Sequence, residues 1–132
     1  MCLAVTGALP SKFRRETKRM KLPNLNDLIV EREKVTGYLL NLDHRYGATK
    51  ARFFIALGFG VGEWSALADA LREHGRTHEV AASRETGHGP RYAVEGELST
   101  PSGAQVFIRS VWQFDKGSVA PRLITAYPVL RR

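Results

Sequence analysis

The stretch "AQVFIRSVWQF", Ala104 to Phe114, decides the fold. It is rich in β-branched and aromatic residues, and as a strand it directs successive side chains to opposite faces. Val106, Ile108, Ser110, Trp112 and Phe114 then share one face, while Phe107, Arg109, Val111 and Gln113 share the other. Arg109 stands among apolar neighbours on its own face, and a strand arginine in that setting either snorkels to an edge or meets an anion.

Working outward, three further segments have the same character: "THEVAASRET", "RYAVEGELST" and "PRLITAYPVL". They are joined by "GHGP", "TPSG" and "DKGSVAP", links of hairpin length. The N-terminal half has a different period. "EREKVTGYLL" from Glu31 sets Val35, Tyr38 and Leu39 at i, i+3 and i+4; "NLDHRYG" reads as a loop; "ATKARFFIAL" resumes helical spacing and stops at Gly58. "GEWSALADALREH" buries Trp64, Leu67, Ala68 and Leu71 and is expected to end at Gly75. The expectation is an α+β fold, with N-terminal helices packed on a four-stranded antiparallel meander sheet.

At 132 residues and 43% hydrophobic content, the chain fits one domain with a single core. The formal net charge of +7 is unevenly placed. Lys12, Arg14, Arg15, Lys18, Arg19 and Lys21 face only Glu16 at the start, whereas the remainder is nearly balanced. Residues 1–21 are therefore read as a basic arm or extension and residues 22–132 as the single α+β domain. The arm is either solvated or a non-specific contact for nucleic acid. Cys2 is the one cysteine, which excludes an internal disulfide and a cysteine-based zinc site. No run of about eighteen apolar residues occurs, and the order of charges at the start is wrong for a secretory signal. A cytoplasmic location, without membrane contact, is the expectation.

Several motifs lead nowhere. "ALGFGVGEW" lacks the preceding strand and the spacing of a dinucleotide loop, and reads as a turn between helices. His74 and His78 have H-x-x-x-H spacing, but Gly75 between them and the want of a third ligand argue against metal. His88 in "TGHGP" belongs to a hairpin tip, and the serines have no nucleophile-elbow context. His44 is the stronger candidate: it lies in a loop, where an imidazole can exchange protons, with Lys50 and Arg52 following near a helix start that favours anions. On the last strand, Thr125 and Tyr127 offer a hydroxyl pair on one face, with Leu123 beside them.

The segments "LPN" at 22–24, "KVTGYLLN" at 34–41, His44 with Gly47, "KARFF" at 50–54, "ALGF" at 56–59 and "TAYP" at 125–128 carry a resemblance. The chain resembles a family of small bacterial domains, without an assigned activity, that occur alone and at the C-termini of polymorphic toxins. Its helices-then-meander order is also similar in topology to the barnase, EndoU, colicin and RelE group of metal-independent toxin ribonucleases. That likeness implies that His44 matches an N-terminal catalytic histidine, Arg109 a basic strand residue, and Thr125 and Tyr127 a closing-strand hydroxyl pair. It departs from the group in having no obvious second histidine in the sheet, so the acid is left to His78, His88 or Tyr127.

Cleaving RNA without metal requires a base at the 2′-hydroxyl, cations for the developing phosphorane and an acid for the leaving oxygen. The leading expectation is a metal-independent ribonuclease-like toxin domain that needs no cofactor. In it, His44 is the base, Lys50 and Arg109 clamp the phosphate, and Thr125 and Tyr127 orient or protonate it. The partners are RNA and a cognate antitoxin or immunity protein. The rival expectation is a non-catalytic protein-binding or immunity-type module of the same kind of system.

Overall fold

The structure is a computed structural model that describes residues 13–15 and 20–130. The remaining arm residues, Cys2 among them, lie outside that range. Helices precede a meander, as the change of period implies: α1 (Arg32–Lys34), α2 (Ala48–Ala56) and α3 (Trp64–Thr77), then β2 (Val80–Thr86), β3 (Gly89–Ser99), β4 (Gln105–Gln113) and β5 (Arg122–Pro128). The four long strands pair antiparallel in sequence order. A two-residue strand from the arm, β1 (Arg14–Arg15), adds to the edge by pairing with Ser83 and Ala82.

Two of the helical segments differ from their expected form. α1 is short and runs into a π turn over Val35–Leu39, closed by the bond from Leu40 N to Val35 O at 2.8 Å. Gly37, a poor helix former at its centre, weakens the tighter α repeat there. The turn buries Val35, Leu39 and Leu40 in the core and leaves Tyr38 half-buried at its rim. α2 ends as expected at Gly58, whose φ of 102° suits glycine. Phe59 N bonds Phe54 O and Gly58 N bonds Ile55 O, the paired bonds of a Schellman end.

Gly75 does not stop α3; the helix continues to Thr77. A Cβ at Gly75 would lie 2.8 Å from Cζ2 of Trp112, so the missing side chain serves the close crossing of α3 over β4. The face of α3 formed by Leu67, Ala68, Leu71, His74 and Gly75 is buried. It meets the Ile108, Ser110 and Trp112 face of β4, and Trp112, Ile108, Leu71 and Leu67 are wholly buried.

A polar chain crosses this interface. Trp112 Nε1 donates to Ser110 Oγ at 2.8 Å, and Ser110 Oγ lies 2.9 Å from His74 Nδ1. His74 Nε2 lies 3.1 Å from Gly96 O. Since a carbonyl only accepts, Nε2 carries the imidazole proton and Nδ1 accepts from Ser110. Burial, reinforced by the neighbouring His78, lowers the His74 pKa from 6.5 to about 4. His74 is a neutral tie between α3, β3 and β4 rather than a ligand.

A β-bulge corrects the expected face of the last strand. Leu123 lies opposite Trp112, but Thr125 lies opposite Val111, so the extra residue Ile124 flips the alternation. Leu123 therefore enters the core, while Thr125 and Tyr127 occupy the other face with Arg109.

The His74 shift makes stability depend on pH. Above 6.5 its contribution is complete; as the pH falls from 6.5 towards 4, the unfolded chain takes up a proton that the native state refuses, and stability drops by up to about 3 kcal/mol. Urea unfolding across this range is expected to show the decline in the wild type and a flatter profile in His74→Gln. Parallel profiles would contradict the assignment.

Candidate functional site

Arg109 is 1% exposed, which rules out a free cation on the surface. The sheet register sets Glu95 of β3, Arg109 of β4 and Tyr127 of β5 side by side. Arg109 Nε donates to Glu95 Oε2 at 2.8 Å, its Nη2 donates to the same oxygen, and its Nη1 donates to Tyr127 Oη at 3.0 Å. Burial works against the charge, but the bonds to Tyr127 and Glu95 outweigh it and raise the arginine pKa. The anion anticipated for this arginine is thus Glu95. Where a free clamp was expected, Arg109 is buried, engages Glu95 and holds Tyr127. Because Oη accepts from the guanidinium, the phenol hydrogen is left to donate elsewhere.

The other expected residues meet around Tyr38. Tyr38 Oη and Thr125 Oγ1 are 3.0 Å apart. Lys50 Nζ, from the first turn of α2, lies 5.6 Å from the centre of the Tyr38 ring and 5.9 Å from that of Tyr127. Lys34 Nζ approaches the Tyr38 ring to 5.3 Å, and the His44 ring packs edge-on to it with centroids 4.9 Å apart. Neither lysine forms a salt bridge among the described residues. His44, Lys50, Thr125, Tyr127 and Arg109 therefore belong to one connected cluster, through Tyr38. Arg52 does not join it; its guanidinium stays beside Thr49.

The local chain explains the pose of His44. Its Nδ1 accepts from the amides of Tyr46 at 3.0 Å and Gly47 at 2.9 Å, closing the turn that leads into α2. A Cβ on Gly47 would sit 2.7 Å from Cδ1 of Tyr38, so this glycine permits the ring contact. With two N–H groups aimed at Nδ1, the imidazole proton resides on Nε2. His44 is thereby arranged as a hydrogen-bond donor through Nε2, and the lone pair that the base role requires is engaged by backbone.

His78 lies on the helix side of the sheet, with Nδ1 3.0 Å from His74 O and its ring over Gly96. His88 is exposed at the β2–β3 turn. Neither joins the cluster. Among the described residues no three histidine, cysteine, aspartate or glutamate side chains are grouped to hold a metal, and no single helix is long and apolar enough to cross a membrane. Tyr38, Lys34 and Glu95 are the members that motif reading missed.

Comparison with known proteins fits this geometry into a family. Residues 21–130 match the DUF6883 model, a domain of unknown function, and the chain belongs to that family. The fold is similar to that of one chain in the contact-dependent growth inhibition toxin–immunity protein complex from Klebsiella pneumoniae 342. The TM-score is 0.57 at 19% identity, over 79% of this chain and 95% of that one. No curated protein matches.

The Arg109 arrangement sets an energetic test. Arg109→Met strands Glu95 against the sheet and is expected to cost about 3 kcal/mol in chemical denaturation, whereas Arg109→Met with Glu95→Leu recovers much of it. Equal losses for the single and double variants would contradict the pairing.

Proposed function

We propose that the chain is a ribonuclease-like domain of the toxin type, cleaving RNA phosphodiesters without a metal ion and acting in the cytoplasm. The observation that carries this reading is the cluster itself: a phenol braced by a guanidinium, an imidazole presenting Nε2–H, and two lysines without carboxylate partners among the described residues. Those groups suit a dianionic transition state better than a neutral substrate. Lys34 and Lys50 offset the phosphorane charge, His44 Nε2–H donates to a non-bridging oxygen, and Thr125 fixes the Tyr38 hydroxyl at the rim. Tyr127 delivers its proton to the leaving oxygen, and Arg109 faces the phenolate left behind. The proton of the attacking 2′-hydroxyl leaves to solvent in this scheme, since His44 Nδ1 is engaged.

The fold likeness to a toxin–immunity complex supports placement in a toxin system; a C-terminal position on a larger toxin rests on the family resemblance alone. It equally supports the second reading, a non-catalytic binding or immunity-type module, because that complex contains both kinds of chain. Either reading supplies a cognate protein partner.

Incubation with labelled RNA in the presence of EDTA is expected to give cleavage, reduced about a hundredfold or more in Tyr127→Phe and clearly reduced in Lys50→Ala and His44→Ala. All three variants should still be folded at the assay temperature by circular dichroism, although Tyr127→Phe and His44→Ala melt earlier, having lost acceptors for Arg109 and for the turn amides. Absence of turnover in the wild type, together with harmless expression and a stoichiometric protein complex, would favour the binding module instead.

A further inference from the structure

The sheet face that carries Tyr127 has a second charged row. Arg84 of β2 lies opposite Arg91 of β3, Arg91 opposite Gln113 of β4, and Gln113 opposite Arg122 of β5. Arg109 and Gln113 are four residues apart on β4 and so share a face, with their rows about 13 Å apart at the usual strand rise. The row between them is Ala82, Ala93, Val111 and Thr125, of which Ala82, Ala93 and Val111 are buried. The two polar rows thus stand about 13 Å apart, a separation that suits a few nucleotides of extended backbone better than one phosphate.

Within the second row the charges are poorly balanced. Arg122 Nε donates to Asp115 Oδ2 at 2.6 Å. Arg91 Nε donates only to the neutral Gln113 Oε1, at 2.9 Å, and Gln113 is itself fixed by its bond to Gly89 O at 3.0 Å. Arg84 Nε is buried without a hydrogen-bond partner among the described residues, and its guanidinium lies 5.5 Å from the centre of the Phe13 ring. Burial first, then repulsion from Arg84 and Arg122, lowers the Arg91 pKa, against the opposing pull of Asp115. Among the described residues Asp115 is the carboxylate that pairs within this row, through Arg122, and an arriving anion relieves the repulsion that Arg84 and Arg122 exert on Arg91.

We propose that Arg84, Arg91 and Arg122 form a second phosphate subsite that grips the RNA backbone a few nucleotides from the phosphate held at Tyr127. This rests on the nuclease reading. Phosphate contacts of this kind position a strand without reading its bases.

The test uses the full chain carrying Tyr127→Phe, so that RNA stays intact, and compares a single-stranded RNA long enough to span both rows with a dinucleotide. Adding Arg84→Gln and Arg91→Gln is expected to weaken the long RNA about tenfold or more and to flatten the log K against log salt slope by about 0.7 per lost contact. Dinucleotide binding should not change. Arg84→Lys with Arg91→Lys, which keeps the charge, should fall between the two and guards against a folding defect. Unchanged affinity for the long RNA, or equal weakening of both ligands, overturns the subsite while leaving the nuclease reading intact. Failure of the parent protein to bind either RNA defeats that reading and the subsite together, and binding of polyglutamate but not RNA through these arginines assigns the row to an acidic protein.

Discussion

A guanidinium buried in the middle of a β-sheet constrains everything around it. Arg109 cannot shed its charge, and at 1% exposure it cannot reach bulk water, so the neighbouring strands must answer it. Glu95 supplies the opposite charge from β3 and Tyr127 an acceptor from β5, both by direct register. That requirement fixes the alignment of three strands at this level and freezes the phenol of Tyr127 in one orientation. The cluster at Tyr38 then follows, because Lys50 lies over a tyrosine that has no freedom to swing, and Tyr38 of the π turn bonds Thr125 on the same strand.

The opposite face of the sheet solves a different problem by the same means. There His74, Ser110 and Trp112 satisfy one another within hydrocarbon, and Gly75 gives the indole room. This interface is neutral and sealed, whereas the face with Arg109, Tyr127 and the arginine row is charged. A sheet with one face committed to helix packing and the other rich in guanidinium groups suits a polyanion, which is the physical content of the functional proposal.

Much of the architecture was legible because the chain changes from a helical period to alternation once, and the links between strands are short. Gly75 misled because glycine marks helix ends by backbone freedom, while here it is demanded by the ring of Trp112 on a distant strand. The bulge at Ile124 was hidden, since strict alternation in "RLITAYP" places Leu123 with Thr125. Glu95 was within reach: counting equal steps back from the Thr100–Ala104 turn sets it opposite Arg109. The i, i+3, i+4 spacing groups Tyr38 with the buried Val35 and Leu39, and the π turn is what sets Tyr38 at the rim instead. The tautomer of His44 depends on two backbone amides, which no residue pattern announces.

The central claim is that Arg109 is locked between Glu95 and Tyr127 and serves the phenol rather than the ligand. Nitrogen-15 NMR of the arginine guanidinium tests it most directly. Slow rotation about Nε–Cζ should give separate Nη resonances for Arg109 that stay put when inorganic phosphate is added, while the Lys50 Nζ signal moves. A single averaged Nη resonance that shifts with phosphate would show a mobile, ligand-facing arginine and contradict the account.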